Sequence, residues 1–410
     1  MATAELSLPT ASVSQHPLRD RNFRRLWTGN AISCLGDQFY AVALPWAILQ
    51  LTGSGATLGA VMMCATIPRA VLMLIGGAVT DRISPRGILL TSAWARSVLV
   101  GMIGLLAWFS LLHLWHLYLL VLAFGVADAF CTPASQVFTP SLVEPEQLPA
   151  ANSLMQSTYK LMSLVAPAPA GFVIRAFGTA WAFILDAVSF LAIVVALWKV
   201  PNPPKAKLGV ARQGIAGSIV AGLKYVYKDI ALRSMLVVIA VINFCVTGPT
   251  IVGLAWMAKQ KFNSPTAFGV LTSALAAGSL VGMALAGLRK HQKRGPVLLA
   301  VSTVIALTTA MMPFLDQLWG VAAVLLIEAG SAGFFNVQLT SWLQQRVERN
   351  VLGRVMSVVM FTSSGLVPIS LALAGFVVNR YFTGMFVTAG ALILGVTLLA
   401  SWLRQVRQID

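Results

Sequence analysis

The chain has 410 residues, 58% of them apolar and only 10% charged, with a mean hydropathy of +0.81. Soluble domains carry about a quarter charged residues, so this composition excludes a soluble fold. The net charge of +16 is not that of a nucleic-acid binder, because the cations sit in short loops between long apolar runs, the pattern that orients helices in a bilayer.

Residues 1–25 are polar and basic and hold no apolar core segment, so no cleaved signal peptide is expected. Twelve apolar runs follow, at roughly 26–51, 56–80, 87–112, 115–139, 154–176, 180–199, 231–257, 266–288, 296–315, 318–341, 355–379 and 383–404. Each approaches the ~20 residues that a helix needs to cross hydrocarbon. They are continuous and lack the alternation of barrel strands, so the expected fold class is an all-α membrane protein with twelve transmembrane helices. Cys34, Cys64, Cys131 and Cys245 all fall inside apolar runs and read as small packing residues, with no metal or disulfide spacing.

An even number of spans puts both termini on one side. That side then holds twenty-two Lys and Arg, among them Arg24, Arg25, Arg82, Arg86, Lys199 and Arg354. The other side holds four, Arg175, Lys259, Lys261 and Arg380. The bias predicts cytoplasmic termini in a bacterial inner (plasma) membrane. The widest gap between spans begins Pro201-Asn202-Pro203-Pro204 and turns basic, the mark of a surface linker. The expected division is a six-helix bundle at 1–200, a cytoplasmic linker at 201–230 and a second bundle at 231–410, with a short amphipathic helix over Gly217 to Tyr227 in the linker.

The halves echo each other. Asp20-x-x-Phe23-Arg24 before span 1 matches Asp229-x-x-Leu232-Arg233 before span 7. Val143-Glu144-x-x-x-Leu148 after span 4 matches Val347-Glu348-x-x-x-Leu352 after span 10, and Arg86-Gly87 matches Arg294-Gly295. The three matches come in the same order at a nearly constant offset. Parallel repeats with a substrate site between them near the bilayer midplane are a transporter plan.

Gly77-x-x-x-Asp81-Arg82-x-x-Pro85-Arg86 after span 2 resembles the signature loop of the major facilitator superfamily. Phe23-Arg24-Arg25-Leu26-Trp27, Leu35-Gly36-Asp37 and Leu148-Pro149-Ala150-Ala151-Asn152-Ser153 resemble the branch containing enterobactin exporters and macrolide efflux pumps. The resemblance implies two pseudo-symmetric six-helix bundles and a secondary transporter, acting as a monomer on a small-molecule substrate, with protons as coupling ion. It also implies that the Asp81 loop latches onto the start of span 11 at Gly353 and Arg354, in a charge cluster completed by Arg82, Arg86 and Arg96. There are departures. The second signature loop, Gly287-Leu288-Arg289-Lys290, has no acid. Span 5 reads Ala166-Pro167-Ala168-Pro169-Ala170-Gly171 where antiporter-type relatives carry Gly-Pro and paired glycines. Efflux of amphipathic molecules is the leading expectation, and import or facilitated passage of a nutrient or lysophospholipid is the alternative. No phosphate-binding Gly-x-x-x-x-Gly-Lys-Ser/Thr loop and no compact catalytic cluster occurs, so neither an enzyme nor a cofactor is expected.

Ionisable groups at mid-membrane cost about 2.5–3.5 kcal/mol on insertion scales, so those present usually face a cavity or a partner. They are Asp37, Arg69, Arg96, Asp128, Lys160, Asp186 and Glu328. Asp37 and Arg69 each lie twelve residues from a span end, roughly 18 Å deep, and are expected to pair across spans 1 and 2. Asp37, then Asp128 and Glu328, are the candidates for proton coupling. Asp186 either hydrogen-bonds within the bundle or faces the cavity. Arg96 and Lys160 either snorkel toward the cytoplasm, neutralise an acid or serve transport.

Overall fold

The computed structural model describes residues 16–80, 84–201, 223–288 and 293–409. The described chain is helical wherever the apolar runs lie, since a backbone in hydrocarbon can satisfy its N–H and C=O groups only internally. The spans are α1 (Arg21–Thr52), α2 (Gly55–Thr80), α3 (Pro85–Trp108), α4 (Leu114–Ala129, continued by Cys131–Phe138) and α5 (Leu148–Val165 with Pro167–Phe177). They continue with α6 (Thr179–Trp198), α7 (Ile230–Gly248 with Leu254–Gln260), α8 (Pro265–Leu288), α9 (Arg294–Met311) and α10 (Leu318–Arg346). The last two, α11 and α12, lie in Arg349–Gly365 and Val367–Trp402, and divide at Tyr381, whose φ of −136° and ψ of 49° are non-helical.

Ten helices pass a length and hydropathy test as they stand, and the two pieces of α5, bent by 42°, make an eleventh. The 52-residue stretch Val351–Trp402 would be about 78 Å as one helix, more than twice the ~30 Å core, so its break makes it two spans. With that stretch divided, the described residues hold twelve segments of spanning length. Prolines account for the other breaks: Pro167 bends α5, and Pro249 opens a π-turn in α7.

The repeated Asp-x-x-Phe/Leu-Arg motif is a pair of helix caps. Asp20 accepts from the Asn22 and Phe23 N–H groups at 2.7 and 2.8 Å, and Asp229 accepts from Ala231 and Leu232 at 2.9 and 3.2 Å. Packing repeats as well. In the first half α1 and α3 pack on α6, and α2 and α3 on α4; in the second, α7 and α9 pack on Val367–Trp402, and α8 and α9 on α10. The linker residues 202–222 lie outside the described residues, and 223–228 are helical.

The hydrophobic core is divided in a telling way. At the end of the bundle away from the termini, one cluster joins both halves, from Trp46, Leu58 and Phe183 to Leu254, Leu371 and Phe386. At the end that carries the termini there are two separate clusters. Leu26, Phe138 and Leu197 belong to the first half, and Leu232, Leu343 and Val406 to the second. The halves therefore meet at the distal end, through α2 on α11 and α5 on α8. The α2–α11 seam depends on glycine. A Cβ on Gly59 would lie 2.5 Å from the Leu371 carbonyl oxygen, and one on Gly375 2.8 Å from the Gly59 Cα, so neither position admits a side chain at this separation.

Candidate functional site

A charged group sits at mid-depth in the first half, one residue from each of α1, α2, α3, α4 and α6. Asp128 of α4 is its hub. One carboxylate oxygen meets Arg69 Nε at 3.1 Å and the other meets Arg96 Nη1 at 3.3 Å. The three side chains differ in exposure: 55% for Arg69, 15% for Asp128 and 8% for Arg96. The Arg96 guanidinium also lies over the Phe190 ring, 4.4 Å from its centroid, an arrangement that compensates in part for lost hydration.

The expected Asp37–Arg69 pair is not what the structure contains. The two residues lie within electrostatic reach of each other, but Arg69 turns toward α4 and takes Asp128. Depth follows from residue counts, whereas azimuth depends on how α2 packs, and within its own half α2 packs on α4 far more than on α1. Asp37 stays within electrostatic reach of Arg96, Asp128 and Arg69, yet makes no ion pair among the described residues.

Asp37 and Arg96 instead line a cavity of about 490 Å³. It extends from Leu26, Pro140 and Leu197 at the terminal end up to these two charges, and its wall mixes apolar side chains with a set of uncharged polar ones, Asn30, Ser33, Ser135, Gln136, Asn152, Gln156 and Tyr159. Sequence reasoning named none of these. Their only signal was polar residues recurring every third or fourth position in apolar helices, Asn30-Ser33-Asp37 on α1 and Asn152-Gln156-Tyr159 on α5. The Trp27 indole N–H donates to Thr158 Oγ1 at 2.8 Å and ties the mouths of α1 and α5 together.

The other charges fall elsewhere. Asp186 is fully buried on α6 behind the cavity, where Ser189 Oγ donates to its carboxylate at 3.3 Å, so of its two readings the hydrogen bond within the bundle is the one seen. Lys160 is half-buried on α5 beside the cavity-lining Tyr159 and has no ion pair among the described residues. Glu328 is buried on α10 and accepts from Thr309 Oγ1 of α9 at 3.3 Å; it belongs to a helix contact in the second half and is not among the residues of the Asp37 cavity.

The expected gate cluster also divides. Asp81 and Arg82 lie outside the described residues; Gly77 is helical, Gly353 is exposed and Arg354 half-buried. Arg96 belongs to the mid-depth group. Arg86 donates to the Leu197 and Trp198 carbonyls at 2.9 and 3.1 Å, and so caps the C-terminal end of α6, where free carbonyls attract a cation.

A second gate-like contact, which sequence reasoning missed, lies at the distal end. The Asn379 side-chain oxygen of α11 accepts from the Gly55 N–H at 2.8 Å, so the second half supplies the acceptor for the first turn of α2. The same oxygen accepts from Trp256 Nε1 at 3.1 Å. Lys259 of α7 lies over the Trp46 ring of α1, 4.9 Å from its centroid. The Gly55-x-x-x-Gly59 spacing was the one available signal.

A family model described as transmembrane secretion effector matches residues 12–410. The chain is 23% identical over 399 residues to macrolide efflux protein A of Streptococcus pyogenes, covering 95% of this chain and 97% of that one. It is 26% identical over 342 residues to the enterobactin exporter EntS of Escherichia coli O1:K1 / APEC, covering 81% and 79%. The fold is similar to the crystal structure of the nucleoside transporter NupG, with a TM-score of 0.74 at 12% identity over 92% of this chain and 98% of that one.

Proposed function

Since the chain belongs to the transmembrane secretion effector family of the major facilitator superfamily, and is a membrane transporter and not an enzyme, we propose that it couples proton entry to efflux of amphipathic small molecules. Drug-like, macrolide or siderophore-type compounds are the class that its efflux relatives and its cavity favour. The observation that carries the reading is the amphipathic cavity, which reaches from the terminal end to an acid, Asp37, that has no ion-pair partner among the described residues and lies beside a paired Arg69–Asp128–Arg96 group. The protein acts as a monomer in a bacterial inner membrane with both termini in the cytoplasm. The joined distal core and divided terminal cores then describe an inward-facing state.

In this reading substrate enters from the cytoplasm or inner leaflet and binds against the polar wall of α1, α4 and α5. Asp37 takes and releases the coupling proton. Arg96, held by Asp128, sets how strongly Asp37 holds its charge, since a nearby cation favours the carboxylate and dry surroundings favour the neutral acid. The Asp81 loop latches the cytoplasmic side against Gly353 and Arg354 when the distal seam opens.

Inside-out vesicles or proteoliposomes with an imposed proton gradient, assayed over macrolides, siderophores, dyes and lysolipids, test the proposal. Gradient-dependent accumulation that fails in Asp37→Asn is expected. Full driven transport by Asp37→Asn would overturn the role of that acid. One feature favours a second reading, import or facilitated passage: α5 reads Ala166-Pro167-Ala168-Pro169-Ala170-Gly171 where antiporter-type relatives carry Gly-Pro followed by paired glycines. Movement down a substrate gradient without any proton dependence would establish it.

A further inference from the structure

A second concavity lies on the outer face of the first half, between α1 and α6, with a volume of about 790 Å³. Its walls are apolar and exposed: Ile32 and Leu35 on α1, Val188 and Val195 on α6. Its floor is narrow because Gly29 and Gly36 let α6 come close, Gly29 against Ala196 and Gly36 against Ser189. The α1 residues that line it run from Arg25 to Phe39. At 1.5 Å per residue that stripe is about 21 Å long, enough to traverse one ~15 Å leaflet and its edge.

The two ends differ. The distal end closes on Phe39 and Leu185. The terminal end carries two exposed cations, Arg25 and Lys199, held side by side because Arg25 Nη1 donates to the Lys199 carbonyl at 3.1 Å. No acidic residue lines the groove. The nearby Asp20 carboxylate is occupied in capping α1. Trp198, exposed beside Lys199, is an aromatic of the kind that sits at headgroup level. The apolar furrow between α7, α11 and α12 in the second half, of about 100 Å³, has no charged residue in its lining.

We propose that the α1/α6 groove is a binding site for an acidic glycerophospholipid of the leaflet on the terminal side, with its phosphate on Arg25 and Lys199 and one acyl chain along the groove. The chemistry follows from the shape. A guanidinium and an ammonium at one end recognise a phosphodiester, as basic pockets between membrane helices do. Twenty ångströms of aliphatic wall recognise a long chain. Lipid bound there bridges α1, which carries Asp37, to α6, which carries Asp186.

The test is lipid binding to the purified full-length protein by native mass spectrometry, titrating dioleoyl phosphatidylglycerol against dioleoyl phosphatidylcholine. Phosphatidylglycerol is expected to bind more tightly. Arg25→Gln with Lys199→Gln should weaken it roughly thirtyfold, at about 1 kcal/mol per basic residue, and leave phosphatidylcholine unchanged. Lys224→Gln with Lys228→Gln, an equal charge loss elsewhere, should change neither. Val188→Trp with Val195→Trp should fill the groove and weaken both lipids. If the neutral pair proves not to be monodisperse, the Arg25→Lys, Lys199→Arg variant decides, with preference retained on this proposal. Undiminished phosphatidylglycerol binding by the neutral pair would overturn it. So would equal loss in the Lys224/Lys228 control, binding of dihexanoyl phosphatidylglycerol as tight as the dioleoyl form, or a dimer mass that disappears on filling the groove.

Discussion

The two halves share a helix order, a set of packing pairs and a pair of Asp caps, but their interiors differ. The first half brings five charged side chains to mid-depth, two of which, Asp37 and Arg96, line a cavity. The second half has one acid there among the described residues, Glu328, sealed between α9 and α10 with a threonine for company. One scaffold has been given two tasks. Among the described residues the ionisable groups at this level are concentrated in α1–α6. Duplicated architecture therefore does not imply duplicated sites, because packing pairs constrain only which faces are apolar, and the cavity-facing positions are free to diverge.

The sharpest way to break this comparison is Asp128→Ala. It leaves Arg96 buried without its carboxylate, and removal of one partner from a buried pair costs about 3–5 kcal/mol. Loss of most monodisperse protein in a thermal-shift or size-exclusion assay, and of transport, is expected. Stability within 1 kcal/mol of the parent would show that the group is not a structural hub. Asp37→Asn should come next: proton-driven flux lost, gradient-free exchange and folding kept, read in the same vesicles. The matching change in the second half, Glu328→Gln, keeps an acceptor for Thr309, so a stability loss of no more than about 1 kcal/mol with driven transport intact is expected. Abolished coupling in Glu328→Gln would move the proton site into the second half and collapse the contrast.

Two smaller effects probe the contacts that hold the halves. Asn379→Ala removes the acceptor for α2 and should cost the distal seam about 1 kcal/mol, visible as longer distal distances by spin-label spectroscopy. An unchanged distance distribution would mean that the glycine seam alone sets the state. At the terminal end, burial pushes the Asp229 carboxyl up, but the hydrogen bond from Arg346 and those from the Leu232 and Ala231 N–H groups outweigh it and hold it below the usual carboxylate range. A depressed folded-state value means stability fully present at neutral pH and lost as pH falls below the ordinary carboxylate range through the folded value. Asp229→Ala should therefore flatten the acid limb of a pH-dependent melting curve, and an unaltered limb would assign that limb to other carboxylates.

Much of the fold was legible in the sequence because lipid leaves the backbone so few options. The all-helical class and the repeated Asp-x-x-Phe/Leu-Arg motif follow from runs and offsets, whereas the role of that motif as a pair of helix caps emerged only from the hydrogen bonds. The break at Tyr381 was legible only as a gap between two runs, without its geometry. The site was legible in composition and depth but not in pairing. Residue counts put Asp37, Arg69 and Asp128 at one level and Arg96 nearer the cytoplasm, yet Arg96 meets Asp128; which acid meets which base depends on helix rotation, and a 100° turn per residue is not fixed by counting. Arg86 shows the same limit from the other side. A motif position suggests a gate, while local geometry uses the guanidinium to cap α6. The cavity wall went unnoticed because Asn, Ser and Gln carry no charge that makes them conspicuous in an apolar run.

The Asn379 contact has a consequence for how quickly the two halves can part and rejoin. Its side-chain oxygen serves two donors at once, Gly55 N–H across the seam and Trp256 Nε1 within its own half. When the seam opens, water takes over the Gly55 N–H, but the indole keeps the amide in its rotamer. The acceptor therefore waits already aimed, and reclosure spends little conformational entropy on ordering it. A clasp of this kind re-forms without a rotamer search at the acceptor.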